Sequence, residues 1–254
     1  MMEKFYLFGN WKMHKSIEES VSYAHCIKNE IKDEAVIVGI FPPFTAIDRV
    51  SQILEGSNIS VGAQNMHFEE QGAFTGEISP LMLKELGVKY VLIGHSERRH
   101  IFGECDEIIN KKMISALLHG ITPILCVGET LKEREEEKTE IVIKEQLERD
   151  LRDVKNKNFI IAYEPVWAIG TGKNATPSQA GEVHRFVRKE LVRIFGDESL
   201  IDTPILYGGS IKVDNFSELS QEKEIDGGLV GGASLDCFTF LKLYEILRSQ
   251  KMKK

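Results

Sequence analysis

No apolar stretch of the chain approaches the roughly 20 residues that a membrane-spanning helix needs. The amino-terminal Met1-Met2-Glu3-Lys4-Phe5 lacks the apolar run of a secretory signal. Both absences lead us to expect a cytoplasmic protein with no membrane partner. Basic blocks are missing as well: apart from the short tail Lys251 to Lys254, Lys and Arg are dispersed, and the formal charge of the 254 residues is −7. That argues against a nucleic-acid binder. It does not argue against an anionic small substrate, whose binding depends on local donors. Only four cysteines occur, Cys26, Cys105, Cys126 and Cys237, far apart and without a C-x-x-C pair. We read them as reduced thiols. His100 lies five residues after His95, a poor spacing for two metal ligands, and no Cys/His pair elsewhere supports a zinc site.

What is present is alternation. Short apolar runs suited to strands occur at Phe5–Gly9, Val36–Ile40, Ile59–Ala63, Tyr90–Gly94, Thr122–Val127, Phe159–Tyr163, Pro204–Tyr207 and Gly227–Val230. Several are apolar on successive residues, as strands covered on both faces should be. Between them lie helical patterns with their own punctuation. Ser16 and Glu19 form a capping box ahead of Val21, Ala24, Ile27 and Ile31. Ser79-Pro80 is a helix start, while Gly87 and Gly120 sit where helix ends belong. The charged run Lys132 to Lys138 reads as the solvated start of a helix. Eight strand–helix units without a linker predict one α/β domain over residues 1–254, a closed (β/α)8 barrel. An open doubly wound sheet would call for a glycine-rich first turn, and Gly9-Asn10-Trp11-Lys12 is not one.

In such a barrel the site forms at the carboxyl ends of the strands. Those ends carry Asn10 and Lys12, then His95-Ser96-Glu97, then Glu164, then Gly208-Gly209-Ser210, and finally Gly231-Gly232. A single glutamate usually belongs to a salt-bridged surface, and a single histidine to a satisfied structural position. Glu164 at a strand end under a closable cover becomes a candidate general base. His95, followed by a short helix start whose N–H groups face the ring, becomes a neutral hydrogen-bond donor. Lys12 is then a fixed cation for an anionic substrate. The glycine turns let backbone amides approach a phosphate, although tight turns use Gly-Gly freely. Residues 165–176, from Pro165 through Trp167, Ile169 and Gly170 to Thr176, read as a lid, because a surface loop has little reason to carry an apolar tip. Gly172-Lys173 is not a nucleotide P-loop, since Trp167 and Asn174 stand where that pattern needs Gly and Ser or Thr.

Six segments together carry a resemblance. They are Gly9 to Met13, Gly72 to Glu77, Ile93 to Arg99, Tyr163 to Pro177, Tyr207 to Ser210 and Val230 to Leu235. In order and spacing the chain resembles the triosephosphate isomerase family from about Phe5 to the last helical pattern. The resemblance implies interconversion of dihydroxyacetone phosphate and D-glyceraldehyde 3-phosphate through an enediol(ate), without metal or organic cofactor. It implies Glu164 as base, His95 as electrophile, Lys12 and Asn10 stabilising negative charge, and Glu97 ordering Lys12. Phosphate would rest on Gly170, Ser210, Gly231 and Gly232. Partners would be small phosphorylated three-carbon sugars and a second copy of the chain, with Gln64 and Thr75 at the subunit interface; a homodimer is expected, and a tetramer is the alternative. Two departures stand out: Cys105 where the family often has Ser as a helix cap, and Glu137 where many members have Gly. The competing readings are a catalytically silent barrel acting as a scaffold, whose mark would be loss of Glu164, His95 or Lys12, and another phosphate-handling barrel enzyme.

Overall fold

The computed structural model describes residues 5–32, 34, 36–169 and 175–251. The strands are β1 (Phe5–Asn10), β2 (Val36–Phe41), β3 (Ile59–Ala63), β4 (Tyr90–Ile93), β5 (Thr122–Val127), β6 (Ile160–Tyr163), β7 (Ile205–Tyr207) and β8 (Gly227–Val230). They pair in parallel and in chain order, and β1 closes on β8 through Tyr6 opposite Gly227 and Gly9 opposite Val230. Each strand lies within one residue of its predicted bounds. Connecting them are α1 (Ile17–Glu30), α2 (Phe44–Leu54), α3 (Pro80–Glu85), α4 (Ser96–His100), α5 (Asp106–Leu118), α6 (Leu131–Glu135), α7 (Thr139–Asp150), α8 (Pro177–Phe195) and α9 (Val213–Leu219). The outer layer ends with α10 (Cys237–Lys251). No described helix is long and apolar enough to cross a membrane.

The helix boundaries follow local chemistry. Ser16 accepts from the Glu19 amide while Glu19 accepts from the Ser16 amide, so two otherwise orphaned donors are satisfied at the start of α1. Ser79 caps α3 with Pro80 at its first position. Gly87 and Gly120 adopt φ of 71° and 73°, which glycine takes without a Cβ clash. The Lys132 to Lys138 run splits: α6 ends at Glu135, and Glu137 turns the chain at φ 56° before α7 begins. Glu137 thus holds a left-handed position that favours glycine. Cys105 precedes α5 but makes no side-chain cap bond.

Packing divides the strand residues by parity. Tyr6 and Phe8, Ile124 and Cys126, and Ile160 and Ala162 join one buried cluster with Phe41, Leu92, Leu206 and Leu229. Phe5 and Leu7, Leu125 and Val127, and Ile161 and Tyr163 join the larger cluster shared with the helices. The first set fills the barrel interior and the second lies between sheet and helices, as the two-residue period of a strand requires. Continuing the interior series places Asn10 after Tyr6 and Phe8 as the last residue of β1, and Glu164 after Ile160 and Ala162 just past β6. The barrel therefore aims both polar side chains inward at its carboxyl rim.

One expectation is corrected. Cys26 on α1 and Cys237 at the start of α10 form a disulfide across 211 residues of sequence, while Cys105 and Cys126 are free. Pairing of β1 with β8 sets α1 beside α10, so two cysteines near opposite ends of the chain become neighbours. Linear spacing carries no trace of that closure.

Candidate active site

Glu164 follows β6 and is 2% exposed. Its amide donates to Val127 O at 2.8 Å, which fixes the backbone at the rim. Gly128 and Gly208 flank it for a steric reason. A Cβ on Gly128 would meet Glu164 O at 1.8 Å, and one on Gly208 would meet Glu164 Cγ at 2.8 Å. The carboxylate accepts from Ser96 N at 2.8 Å, and its other oxygen lies 3.1 Å from His95 Nε2. Among the described residues it touches no lysine or arginine.

His95 is buried and stands at the start of α4. The Glu97 amide donates to His95 Nδ1 at 3.2 Å. A ring nitrogen that accepts an N–H carries no proton of its own, so the ring hydrogen sits on Nε2 and points toward Glu164. The short helix start after His95 thus supplies an N–H to the ring, and Nε2 faces the buried Glu164 carboxylate.

Lys12 is held in a left-handed conformation at φ 52°. Two side chains secure it: Asn10 Oδ1 accepts from the Lys12 amide at 3.0 Å, and Gln64 Nε2 donates to Lys12 O at 2.8 Å. Lys12 Nζ donates to Glu97 Oε1 at 2.6 Å. Burial alone would raise the Glu97 carboxyl, but the hydrogen bond from Lys12 and the charge of that ammonium hold it below the usual range. On the far side lies Gly231, where a Cβ would stand in ordinary van der Waals contact with the lysine, 3.4 Å from Lys12 Cε. Gly231, Lys12, Glu97, His95, Glu164 and Gly208 therefore form one unbroken series of neighbours along the rim.

The remaining predicted residues lie on the connections after β3, β7 and β8 or outside the described residues. Gly232 opens a single 3-10 turn through Ser234, whose hydroxyl and amide both donate to Gly231 O. Ser210 lies on the turn after β7, where its carbonyl accepts from Asn215 Nδ2 at 3.0 Å. Gly170 and residues 171–174 lie outside the described residues. Of the interface pair, Thr75 is exposed on the connection after β3, while Gln64 makes the internal bonds to Lys12 O and to Phe41 O. Cys126 is fully buried; burial, then the neighbouring Glu164 charge, pushes its thiol well up, consistent with a packed, unreactive sulfur.

Sequence reading missed three contributors. The Ser96 amide, not only the imidazole, holds Glu164. Glu129, fully buried, accepts from Tyr163 Oη at 3.1 Å, from Trp167 Nε1 at 2.9 Å and from Arg134 at 3.2 Å. The Arg134 guanidinium also stacks over the Trp167 ring at 4.6 Å. The start of the expected lid is thereby tied down at Trp167. The signal was present in the two polar-tipped aromatics flanking Glu164, which need a buried acceptor. The third contributor is Arg99, taken up below.

Fold and rim together define an enzyme of the parallel α/β-barrel class, with acid–base groups and glycine turns converging at the carboxyl ends of its strands. Similarity narrows the class. The family model described as triosephosphate isomerase matches residues 5–247. A protein of Carboxydothermus hydrogenoformans named triosephosphate isomerase is 52% identical over 243 residues, covering 94% of this chain and 97% of the relative. Proteins of the same name from Thermoanaerobacter pseudethanolicus and Endomicrobium trichonymphae are each 50% identical, covering 95% of this chain and 99% and 98% of the relatives. The chain belongs to the triosephosphate isomerase family.

Proposed function

We propose that the rim interconverts dihydroxyacetone phosphate and D-glyceraldehyde 3-phosphate by moving one proton between adjacent carbons. The chain is an intramolecular aldose–ketose isomerase. The observation that carries the assignment of roles is a buried carboxylate, Glu164, set 3.1 Å from the Nε2–H of a neutral imidazole, with a lysine ammonium held in the same rim.

In the forward direction Glu164 removes a proton from the carbon bearing the hydroxyl of the ketose. The electron pair moves toward the neighbouring carbonyl, whose oxygen becomes negative. His95 Nε2–H donates to that oxygen and Lys12 Nζ stabilises its charge. A preorganised donor at such a position is worth roughly 3 to 4 kcal/mol. His95 then relays the hydroxyl proton between the two oxygens, and Glu164 returns the carbon proton to the adjacent carbon. The proton count closes with every side chain restored. Positioned acid–base groups contribute about 10² to 10⁴ in rate. Glu164 must release Ser96 N and His95 Nε2 to reach substrate, so substrate binding exchanges existing hydrogen bonds instead of desolvating a free carboxylate.

Ser210, Gly231 and Gly232 supply amides for the phosphate, joined by Gly170 from the lid, and binding at that remote group drives closure. Asn10 and Glu97 hold Lys12 in place. The substrate is met in the cytoplasm. The chain acts as a homodimer through the connection after β3. Phe74 and Met82 between β3 and β4, and Ile101 and Phe102 after α4, are exposed apolar side chains that a second copy would cover. A solution mass of twice the chain mass at micromolar concentration is expected, and a monomer mass overturns the dimer.

The activity is tested by a coupled assay with both triose phosphates on wild type and Glu164→Gln. Turnover is expected to fall by about 10³ to 10⁴ with KM changed only a few-fold. Near-normal turnover removes Glu164 from the mechanism.

A further inference from the structure

We propose that Arg99 is a positioning residue for the isomerisation: its guanidinium extends the β4–β5 seam past the last backbone pair and so fixes His95 and Glu164 relative to each other. The proposal rests on the roles assigned above to those two residues.

The backbone register of β4 on β5 ends at Ile93 opposite Leu125. One residue further on, each chain presents a carbonyl, and Arg99 takes both. Its Nε donates to Gly94 O at 2.8 Å and its Nη2 to Cys126 O at 3.2 Å. Gly94 accommodates this directly, because at φ 70° a Cβ there would stand 2.8 Å from Arg99 Nη2. The turn before His95 and the arginine that fills it therefore depend on each other. The next residues on each side are functional. His95 follows Gly94, and its carbonyl accepts from the Arg99 amide at 3.1 Å. Val127 follows Cys126, and its carbonyl receives the Glu164 amide. One side chain thus grips the backbone under both the imidazole and the base without touching a reacting atom.

The guanidinium is itself fixed. Nη1 donates to Asp106 Oδ1 at 2.7 Å and Nη2 to Asp150 Oδ2 at 2.5 Å, and Asp150 is fully buried at the end of α7. Four acceptors on four separate segments are met by one planar fork, which an ammonium with three donors on a flexible stem does not match. Lysine at this position keeps the charge and loses the fork. Misplacement of a catalytic group by about 1 Å can cost on the order of 100-fold in rate.

The test compares Arg99→Lys with Arg188→Lys. Arg188 is also deeply buried; it donates to Ile201 O, Thr203 O and Asp226 and, among the described residues, touches none of the rim. Both are assayed with triose phosphates at a temperature where each is folded. Arg99→Lys is expected to lower kcat by about 10- to 100-fold with KM within two-fold. In the same variant the imidazole nitrogen resonances of His95 are expected to shift or broaden. Arg188→Lys is expected to lose thermal stability and keep kcat per folded molecule. A kcat within two-fold of wild type in Arg99→Lys, or an equal kcat loss in Arg188→Lys, overturns the proposal. If Arg99→Lys does not fold, Asp150→Asn, which keeps the shape and frees one corner of the fork, is judged by the same kcat and KM criteria, with a loss of about 3- to 10-fold expected. A wild type that does not turn over triose phosphates overturns the isomerase reading; an active wild type beside an unaltered Arg99→Lys overturns only this proposal.

Discussion

At the amino-terminal floor of the barrel, Arg188 donates to the carbonyls of Ile201, Thr203 and Glu224 and to Asp226, while at the carboxyl rim Glu164 rests on one backbone N–H and one imidazole. Asp226 on the floor also accepts from Ile205 N at 2.7 Å, which locks β7 to the segment entering β8. His184, fully buried on α8, donates to Glu224 O and is pushed down to about 3, first by burial, so it stays neutral. Among the described residues there, Arg188, Glu224 and Asp226 are each matched by an opposite charge, and Arg188 by backbone carbonyls as well. The rim buries a carboxylate as deeply but, among the described residues, gives it no cation. Its two partners can be exchanged for substrate at small cost. The difference is that the floor uses buried charge to specify the closed barrel, whereas the rim keeps one charge in reserve for the reaction.

That contrast can be broken from either side. The largest effect is on the rim: Glu164→Gln, which removes turnover by powers of ten, is expected to leave Tm unchanged or higher, because an amide is easier to bury than a carboxylate. A Tm fall of more than a few degrees would show that the rim carboxylate is structural after all. On the floor the signs reverse. Arg188→Met takes the guanidinium away from Asp226, which keeps its bond from Ile205 N, and breaking a largely buried pair costs up to about 3 to 5 kcal/mol. For a chain of this size that lowers Tm by roughly 6 to 20 °C. Calorimetry should find that fall while kcat per folded molecule stays within two-fold of wild type. A smaller stability effect comes from the staple between α1 and α10. Reducing the Cys26–Cys237 bond, or replacing both residues by Ser, frees a long loop in the unfolded chain. A Tm decrease of about 5 to 10 °C is expected, with KM unchanged. Equal Tm with and without reductant, or two additional free thiols by mass in the untreated protein, would remove the staple from the account.

Much of this architecture was legible in the residues, for physical reasons that also mark where legibility stops. The strands were readable because parallel strands buried on both faces are apolar on successive positions, as in Val36 to Ile40 and Ile160 to Tyr163. Caps at Ser16 and Ser79 were readable because their chemistry lies within four residues. Asn10 and Glu164 were readable because the inward parity of β1 and β6 runs on to them, whereas His95 has the outward parity of Val91 and Ile93 and reaches the rim only through the left-handed turn at Gly94. Lateral partnerships were not. Arg99 meets Asp150 across 51 positions, Glu129 meets Trp167 across 38, and Cys26 meets Cys237 across 211. Each depends on which helices or strand-end loops the closed barrel sets side by side, and no periodicity encodes that. Glu137 shows a subtler limit: it was noted as a departure from the family, yet only the backbone angle shows that it occupies a left-handed turn.

The central claim is that Lys12, His95 and Glu164 act on one small molecule at once. It is tested most directly by a structure of the enzyme with a phosphate-bearing enediolate mimic. The account predicts that the mimic's oxygens lie within hydrogen-bond reach of His95 Nε2 and Lys12 Nζ and its phosphate lies on Gly231 and Gly232. It also predicts that Glu164 has left the Ser96 amide for the carbons between. A bound mimic with Glu164 still on Ser96, or with its phosphate away from the turn after β8, would contradict it.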